Sequence, residues 1–170
     1  MQTELVTSIS QIDPAAWDRL AGADDPFVEH AFLAALEQSG SVGSGSGWLP
    51  KHVLLRDGDA LLGALPLYLK EHSYGEYVFD FGWANAAMRA GIRYYPKLVS
   101  MVPFTPATGR RFLIAPDVNE QAVVGALLHR ALDHAHALVE IDALIDPRIA
   151  EIVQHVRLIG IEVERSLEVD

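Results

Sequence analysis

The chain has 170 residues, half of them hydrophobic, and its 13 basic and 23 acidic side chains give a net charge of -10. This length fits one domain with a sizeable core, so we predict a single lobe over residues 1–170. The acidity argues against a DNA partner, because phosphate binding needs clustered Lys and Arg. The sequence has no cysteine, no secretory signal and no apolar run near the roughly 18 residues that span a bilayer. We therefore expect a cytoplasmic protein without a membrane span.

The first elements are a strand and two helices. Residues 4–10 alternate apolar and polar side chains and are rich in Val, Ile and Thr, which predicts a strand. Asp13-Pro14 predicts a helix start, with Asp as N-cap and Pro at the first helical position, and this helix ends near Gly22. A second helix follows Asp25-Pro26-Phe27 and ends by Ser39-Gly40.

A flexible loop and a hairpin come next. Residues 41–47 are rich in Gly and Ser and predict a mobile lid over a site, since the segment lacks the form of a phosphate-binding loop. Strands over 52–56 and 60–70 meet at Asp57-Gly58, a strong hairpin signal. Gly63 and Pro66 predict a bulge or a bend in the second strand.

The rest of the chain alternates strands and helices. In order, the predicted elements are a strand at 76–81, a helix at 84–91, a strand at 98–102, a rigid turn at 103–109, a strand at 111–115, a helix at 119–137, a strand at 138–145, a helix at 147–159 and a strand at 161–169. This order predicts an α/β (α+β) fold in which a mixed, mainly antiparallel sheet carries helices on both faces.

The stretch from residue 64 to residue 111 is the predicted site. It holds all five tyrosines of the chain and carries six basic against three acidic side chains, within an acidic protein. An aromatic, net-positive segment punctuated by Pro and Gly suits an anionic or sugar-bearing ligand. The alternative is an irregular stretch whose tyrosines pack on the edge of a core.

Two carboxylates in this stretch are candidate catalytic groups. Glu76 and Asp80 lie near His72 and Tyr74, and alternation places both acids on one face of the predicted strand. Either acid would serve as a general base for an attacking amine or hydroxyl if burial raises its pKa. The alternative is that both simply face water.

Stiff segments would supply the walls and anion contacts of the site. Proline fixes the backbone in Tyr94-Tyr95-Pro96-Lys97 and in Pro103-Phe104-Thr105-Pro106. Arg110 and Arg111 follow and would clamp a carboxylate or phosphate, or else form a salt bridge at a sheet edge. The predicted substrate-binding residues are His72, Tyr74, Tyr95, Lys97, Phe104, Thr105 and Arg110.

Other catalytic signatures are missing from the sequence. His129 and His134 are five residues apart and do not share a helix face as metal ligands would, and there is no HExxH or GxSxG motif, so no metal is predicted. Residues 115–122 stand where an acetyl-CoA-dependent acyltransferase of the GNAT fold has its Gly-rich pyrophosphate turn. They contain no glycine and place Asp117 and Glu120 there, so a standard coenzyme A site is not expected.

Several motifs in the right order resemble the FemAB-like acyltransferase family of bacteria, proteins of peptidoglycan biosynthesis or recognition with GNAT-like lobes. The matching segments are 26–42, 47–52, 63–70, 72–80, 94–98 and 102–106, and the resemblance covers about residues 25–135. It implies a GNAT-like lobe that transfers an acyl or aminoacyl group to an amine, with a cell-wall precursor as an acceptor. The alternative is a non-catalytic lobe that recognises a cell-wall or other anionic ligand.

The resemblance also bears on the donor and on assembly. FemAB relatives use aminoacyl-tRNA rather than acetyl-CoA, which agrees with the absent Gly-rich turn. Members carry a second such lobe, so this chain would lack that lobe or form a homodimer to restore the cleft. The tail after Ala137 departs from the family pattern.

Overall fold

The computed structural model describes residues 1–76 and 79–145, with the side chains of 140–145 left out. Met1–Arg130 forms one compact unit, and a second, Ala131–Asp170, is described only in its helical residues 131–145. The predicted helix at 147–159 and strand at 161–169 lie outside the described residues. The single lobe over the whole chain stays a prediction.

The described elements are seven strands and four α-helices. The strands are β1 (Gln2–Val6), β2 (Trp48–Pro50), β3 (His52–Asp57), β4 (Ala60–Leu65), β5 (Tyr68–Lys70), β6 (Lys97–Val99) and β7 (Leu113–Ile114). The helices are α1 (Pro14–Ala21), α2 (His30–Gln38), α3 (Phe81–Arg89) and α4 (Glu120–Ile145). All strand pairs are antiparallel, and the predicted mixed α and β class is confirmed.

The strands form two sheets rather than the one that the sequence predicted. The first has the order β1-β3-β4-β7 and the second the order β2-β5-β6. The predicted strand 60–70 is divided between them, because β4 ends at Leu65 and the backbone turns at Pro66 before β5 begins. Proline cannot donate to a ladder, so the predicted bend is the point at which the chain changes sheets.

Helices cover both faces of the first sheet. Trp17 and Leu20 of α1 and Leu33 of α2 pack with Ala64 of β4 in one buried cluster. The neighbouring Gly63 points to the opposite face, where a Cβ would meet the side chains of Val123 and Leu127 in α4. The predicted arrangement of helices on both faces is therefore confirmed.

Local sequence signals fix several element ends. The Asp13 carboxylate accepts a 2.9 Å hydrogen bond from the Ala16 amide and caps α1 as predicted. Asp57 pairs with Ala60 across the predicted hairpin turn, where Gly58 has a φ of 56°. Asn119 caps α4 through a 3.1 Å bond from the Ala122 amide to its side-chain oxygen.

Two predicted strands are wrong. Residues 138–145 continue α4, because no Gly or Pro interrupts 126–146 and their apolar side chains also fit a helical period. The strand predicted at 76–81 is absent from its described residues: Glu76, Phe79 and Asp80 lie outside any strand, and Phe81 begins α3. The sequence also missed β2, a three-residue edge strand in which Pro50 is tolerated.

Gly63 provides a test of the packing between β4 and α4. Gly63→Ala should lower the free energy of unfolding by about 1–3 kcal/mol, because its methyl group overlaps a stiff Val123 side chain. Urea denaturation measures the change.

Gly125 is the matched control, since a Cβ there meets nothing within 4 Å on the exposed side of α4. Gly125→Ala should raise the free energy of unfolding by about 0.5–1 kcal/mol, because alanine favours the helix. Equal effects of the two substitutions would contradict the contact.

Candidate functional site

Two lysines lie side by side at the end of the second sheet. Lys70 ends β5, Lys97 begins β6, and the register pairs them directly across the two strands. Like charges at directly opposed positions destabilise a sheet. Carboxylates from the intervening loop, Glu76 and Asp80, lie against the two ammonium groups and offset this repulsion.

The innermost contact is the ion pair of Lys70 with Glu76. The Lys70 Nζ lies 2.6 Å from one Glu76 carboxylate oxygen and 2.8 Å from the other. The two side chains are only 4% and 5% exposed. Each side chain of such a pair stabilises the charge of the other, because either charge alone would be very unfavourable in this buried position.

Asp80 is the centre of a second group of contacts. Its carboxylate accepts hydrogen bonds from Lys97 Nζ at 2.5 Å, Tyr95 Oη at 2.5 Å, Tyr94 Oη at 3.1 Å and the buried Ser73 hydroxyl. Ser73 Oγ also lies 2.6 Å from Tyr95 Oη. We call these seven residues the lysine–carboxylate cluster: Lys70, Ser73, Glu76, Asp80, Tyr94, Tyr95 and Lys97.

These contacts set the protonation state of Asp80. Burial opposes ionisation, but hydrogen bonds from Lys97, Ser73 and Tyr95 and the charge of Lys70 outweigh it, so the Asp80 pKa lies well below its usual value. A general base would need the opposite shift. The geometry therefore favours Asp80 as a permanently ionised partner for a positive charge rather than as a proton acceptor.

The neighbouring groups keep their protons. Burial and the bond to Asp80 raise the pKa of Tyr95 to about 12. Burial lowers the pKa of Lys97, but the bonds to Asp80 and Tyr94 outweigh burial and raise it overall. Lys97 thus stays an ammonium ion, and its Nζ lies 3.9 Å from the centre of the Tyr94 ring.

Aromatic side chains support the cluster from the core side. Lys70 Nζ lies 5.4 Å from the centre of the buried Trp48 ring. Trp48 in turn contacts Tyr68 at a centroid distance of 5.6 Å and Phe104 at 5.4 Å. Phe104, a predicted wall residue, packs on Trp48, whose ring lies next to Lys70.

Four predicted site residues do not contact the cluster in the geometry described. His72 and Tyr74 pack on each other at a ring distance of 5.1 Å, and the Tyr74 side chain is 70% exposed. Thr105 accepts a hydrogen bond from the Ala107 amide within its own turn. Arg110 donates to the Ala21 carbonyl, on the side of α1.

An open cavity of about 440 Å³ adjoins the cluster. It lies between Asn85 and Met88 of α3 and the segment Arg93-Tyr94-Tyr95, so the two tyrosines that bond Asp80 also line it. Its size suits a small ligand. Another cavity, of about 320 Å³, lies at Met1, Glu4 and Arg56 and contains no predicted site residue.

Sequence reasoning missed Lys70, Ser73 and Tyr94 as members of the site. All three lie within residues 64–111 and belong to the segments that carry the family resemblance. Their contacts depend on the pairing of β5 with β6, which local patterns do not reveal. Within the described residues, no three His, Asp or Glu side chains are placed to hold a metal ion.

Comparison with known proteins identifies the class. The FemAB-like family model, described as peptidoglycan biosynthesis/recognition, matches residues 8–144, and the chain belongs to this family. The comparison with curated proteins gives no match, and neither does the comparison with solved structures. In the part of the chain that the structure describes, no helix is both long and apolar enough to cross a bilayer.

The buried ion pair predicts a large effect of removing one partner. Glu76→Gln should lower the free energy of unfolding by about 3 kcal/mol, because it leaves the Lys70 charge buried with Asp80 at 3.7 Å as its nearest carboxylate. Chemical denaturation measures the loss, and Lys70→Met in the same protein should restore most of it.

The exposed pair of Glu4 with Arg56 is the control. Its side chains are much more accessible, so Glu4→Gln should change stability by less than about 1 kcal/mol. A Glu76→Gln effect no larger than this would show that the pair contributes little.

The lowered pKa of Asp80 predicts a pH-dependent contribution to stability. Because the folded-state pKa lies below the usual 3.8, this contribution is present above about pH 4 and is lost as the pH falls further. Asp80→Asn should therefore lower the melting temperature strongly at pH 6, and by progressively less as the pH falls below about 4. Asp24→Asn, in an exposed loop, is the control, and a difference independent of pH would refute the assignment.

Proposed function

We propose that this FemAB-like protein transfers an acyl or aminoacyl group to an amine of a cell-wall precursor. The observation that supports this proposal is the contact of Lys97 and Tyr95 with an ionised Asp80, next to an open cavity that Tyr94 and Tyr95 line. Family membership supplies the link to peptidoglycan.

The cluster has the charges that an acyl transfer requires. The amine nitrogen attacks the carbonyl carbon, a C–N bond forms, positive charge develops on nitrogen and negative charge on oxygen. Asp80 would stabilise the nitrogen charge, and Lys97, which has further N–H donors, would stabilise the oxyanion. The bond to the leaving group then breaks, and the amine proton passes to the leaving group.

The fixed charges explain how the cluster would act without a raised carboxylate pKa. Preorganised donors and acceptors lower a barrier because they need not reorient as charge develops. Tyr95, which lines the cavity and bonds Ser73 and Asp80, would hold the Asp80 carboxylate in place beside the cavity. Glu76 would act through Lys70, as a positioning residue.

The donor in this proposal is an aminoacyl-tRNA or another activated acyl compound. No coenzyme A site is included, because residues 115–122 contain no glycine and carry two acids where a pyrophosphate would bind. No resident cofactor or metal enters the reaction.

Recognition without catalysis is the second candidate. It is favoured by the number of internal partners of Asp80, since both carboxylate oxygens already accept hydrogen bonds from the cluster. A cluster of this kind would hold the wall of a binding cavity rigid while the cavity recognises a cell-wall ligand.

The two candidates differ in the effect of substitutions in the cluster. A thermal-shift screen with cell-wall precursors, aminoacyl-tRNA and coenzyme A thioesters first identifies a ligand by its stabilisation of the protein. Transfer of a labelled acyl group is then measured, and Asp80→Asn and Lys97→Met should each slow it by roughly 10²-fold while precursor binding remains.

Matched controls are Asp24→Asn and Lys51→Met, which make the same changes outside the cluster. Both should keep the wild-type transfer rate. Binding of a precursor with no transfer from any donor would favour the recognition lobe, and equal rates in Asp80→Asn and wild type would remove the catalytic role.

A further inference from the structure

Large apolar side chains are exposed on α3 and in the residues that flank it. Tyr74, Phe79 and Phe81 contact one another, with ring distances of 6.0 Å for Tyr74–Phe81 and 5.0 Å for Phe79–Phe81. Met88 follows Phe81 by two helical turns and is 70% exposed. We define the apolar patch by its six members: Tyr74, Phe79, Phe81, Trp83, Met88 and Ile92.

In the described part of its own unit, the patch is largely exposed, although Tyr74 packs on His72. α3 has no buried residue, and Trp83 is 75% exposed although the other two tryptophans of the chain, Trp17 and Trp48, are fully buried. An accumulation of large exposed apolar side chains in one short segment is typical of a surface that binds a partner. The patch is therefore expected to face a binding surface.

The charge of the same segment indicates what kind of surface the apolar patch binds. Residues 81–93, which include α3, contain two basic side chains and no acidic one, although the whole chain has a net charge of -10. Arg89 is exposed in the last turn of α3, and Arg93 follows in the next turn of chain. Asp80, at the start of the helix, is already paired with Lys97.

Exposed Trp and Phe next to Arg, with few acids, is the composition of segments that lie in the interface of a bilayer. The apolar rings enter the headgroup and acyl boundary, and the arginines attract anionic lipids. We propose that the apolar patch docks this protein on the surface of a bilayer that contains anionic phospholipids. The helix lies on the bilayer and does not cross it.

Docking would also orient the cavity. Met88 and Ile92 belong to the patch and border the cavity beside Tyr94 and Tyr95. The mouth of the cavity would then lie next to the lipid headgroups. Membrane binding itself needs neither a donor nor an acceptor, so it is tested separately from the proposed transfer.

Trp83 provides a direct readout. It is the one exposed tryptophan of the three, so a blue shift of tryptophan emission on mixing with vesicles reports its transfer to a less polar environment. The full chain is titrated with phosphatidylglycerol vesicles and, separately, with phosphatidylcholine vesicles, and co-sedimentation is measured in parallel. We expect a blue shift and sedimentation with phosphatidylglycerol only, both reduced by 0.5 M salt.

Charge and apolar contributions are separated by variants at exposed positions. Arg89→Glu should weaken binding to phosphatidylglycerol vesicles roughly tenfold. Arg19→Glu, on the exposed side of α1, changes the net charge equally and should bind as the wild type does. Phe79→Ser should weaken binding and leave the unfolding transition unchanged, because the ring is more than half exposed.

Three results would overturn the proposal. One is unchanged emission, with the protein in the supernatant, at any anionic lipid content. A second is equal binding to both kinds of vesicle or an equal loss in Arg19→Glu and Arg89→Glu. The third is a blue shift that grows with protein concentration in the absence of vesicles, because the patch would then bind a second copy of the chain.

Discussion

The ion pair of Lys70 with Glu76 holds together the part of the molecule that contains the site. The pairing of β5 with β6 places two lysines opposite each other, which is unfavourable unless anions lie between them. Glu76 supplies one anion in a nearly water-free position, and Asp80 supplies the other. The loop from Lys70 to Asp80 is thereby tied to the sheet at both ends, and Asp80 in turn holds Tyr94, Tyr95 and Lys97.

The second sheet exists because Pro66 ends the first. β4 pairs with β3 and β7, whereas β5, two residues later, pairs with β2 and β6. This change of sheet puts Tyr68 and Trp48 into a core of their own, next to Phe104, and leaves Lys70 above the Trp48 ring. The Trp48 ring and the carboxylates of Glu76 and Asp80 together stabilise the buried ammonium group of Lys70. The position of the site thus depends on Pro66, which has no backbone N–H to donate to a β-sheet hydrogen-bond ladder.

Local chemistry could be predicted from the sequence, and non-local pairing could not. Asp13-Pro14, Asp57-Gly58 and Pro66 act within a few residues, and each does what its residue types predict. Glu76, Asp80, Tyr95 and Lys97, four of the nine predicted site residues, lie together in the structure. The reason for their meeting, a cross-strand register between Lys70 and Lys97, has no local signature. The wrong strand prediction for residues 138–145 has a similar cause. Their alternating pattern fits a strand, but α4 continues without interruption from the preceding residues through this segment.

The cluster differs from a catalytic acid–base pair, because Asp80 stays ionised while Tyr95 and Lys97 keep their protons. Asp80 is ionised because its hydrogen-bond donors outweigh its burial, and Tyr95 keeps its proton up to a pKa of about 12. Lys97 remains charged for the same reason as Asp80, since each stabilises the charge of the other. Asp80, Tyr95 and Lys97 therefore do not titrate over the neutral range, so their charges would act unchanged on a ligand in the cavity. Any pH dependence of an amine-directed reaction near neutrality would then come from the amine itself, which must be uncharged to attack.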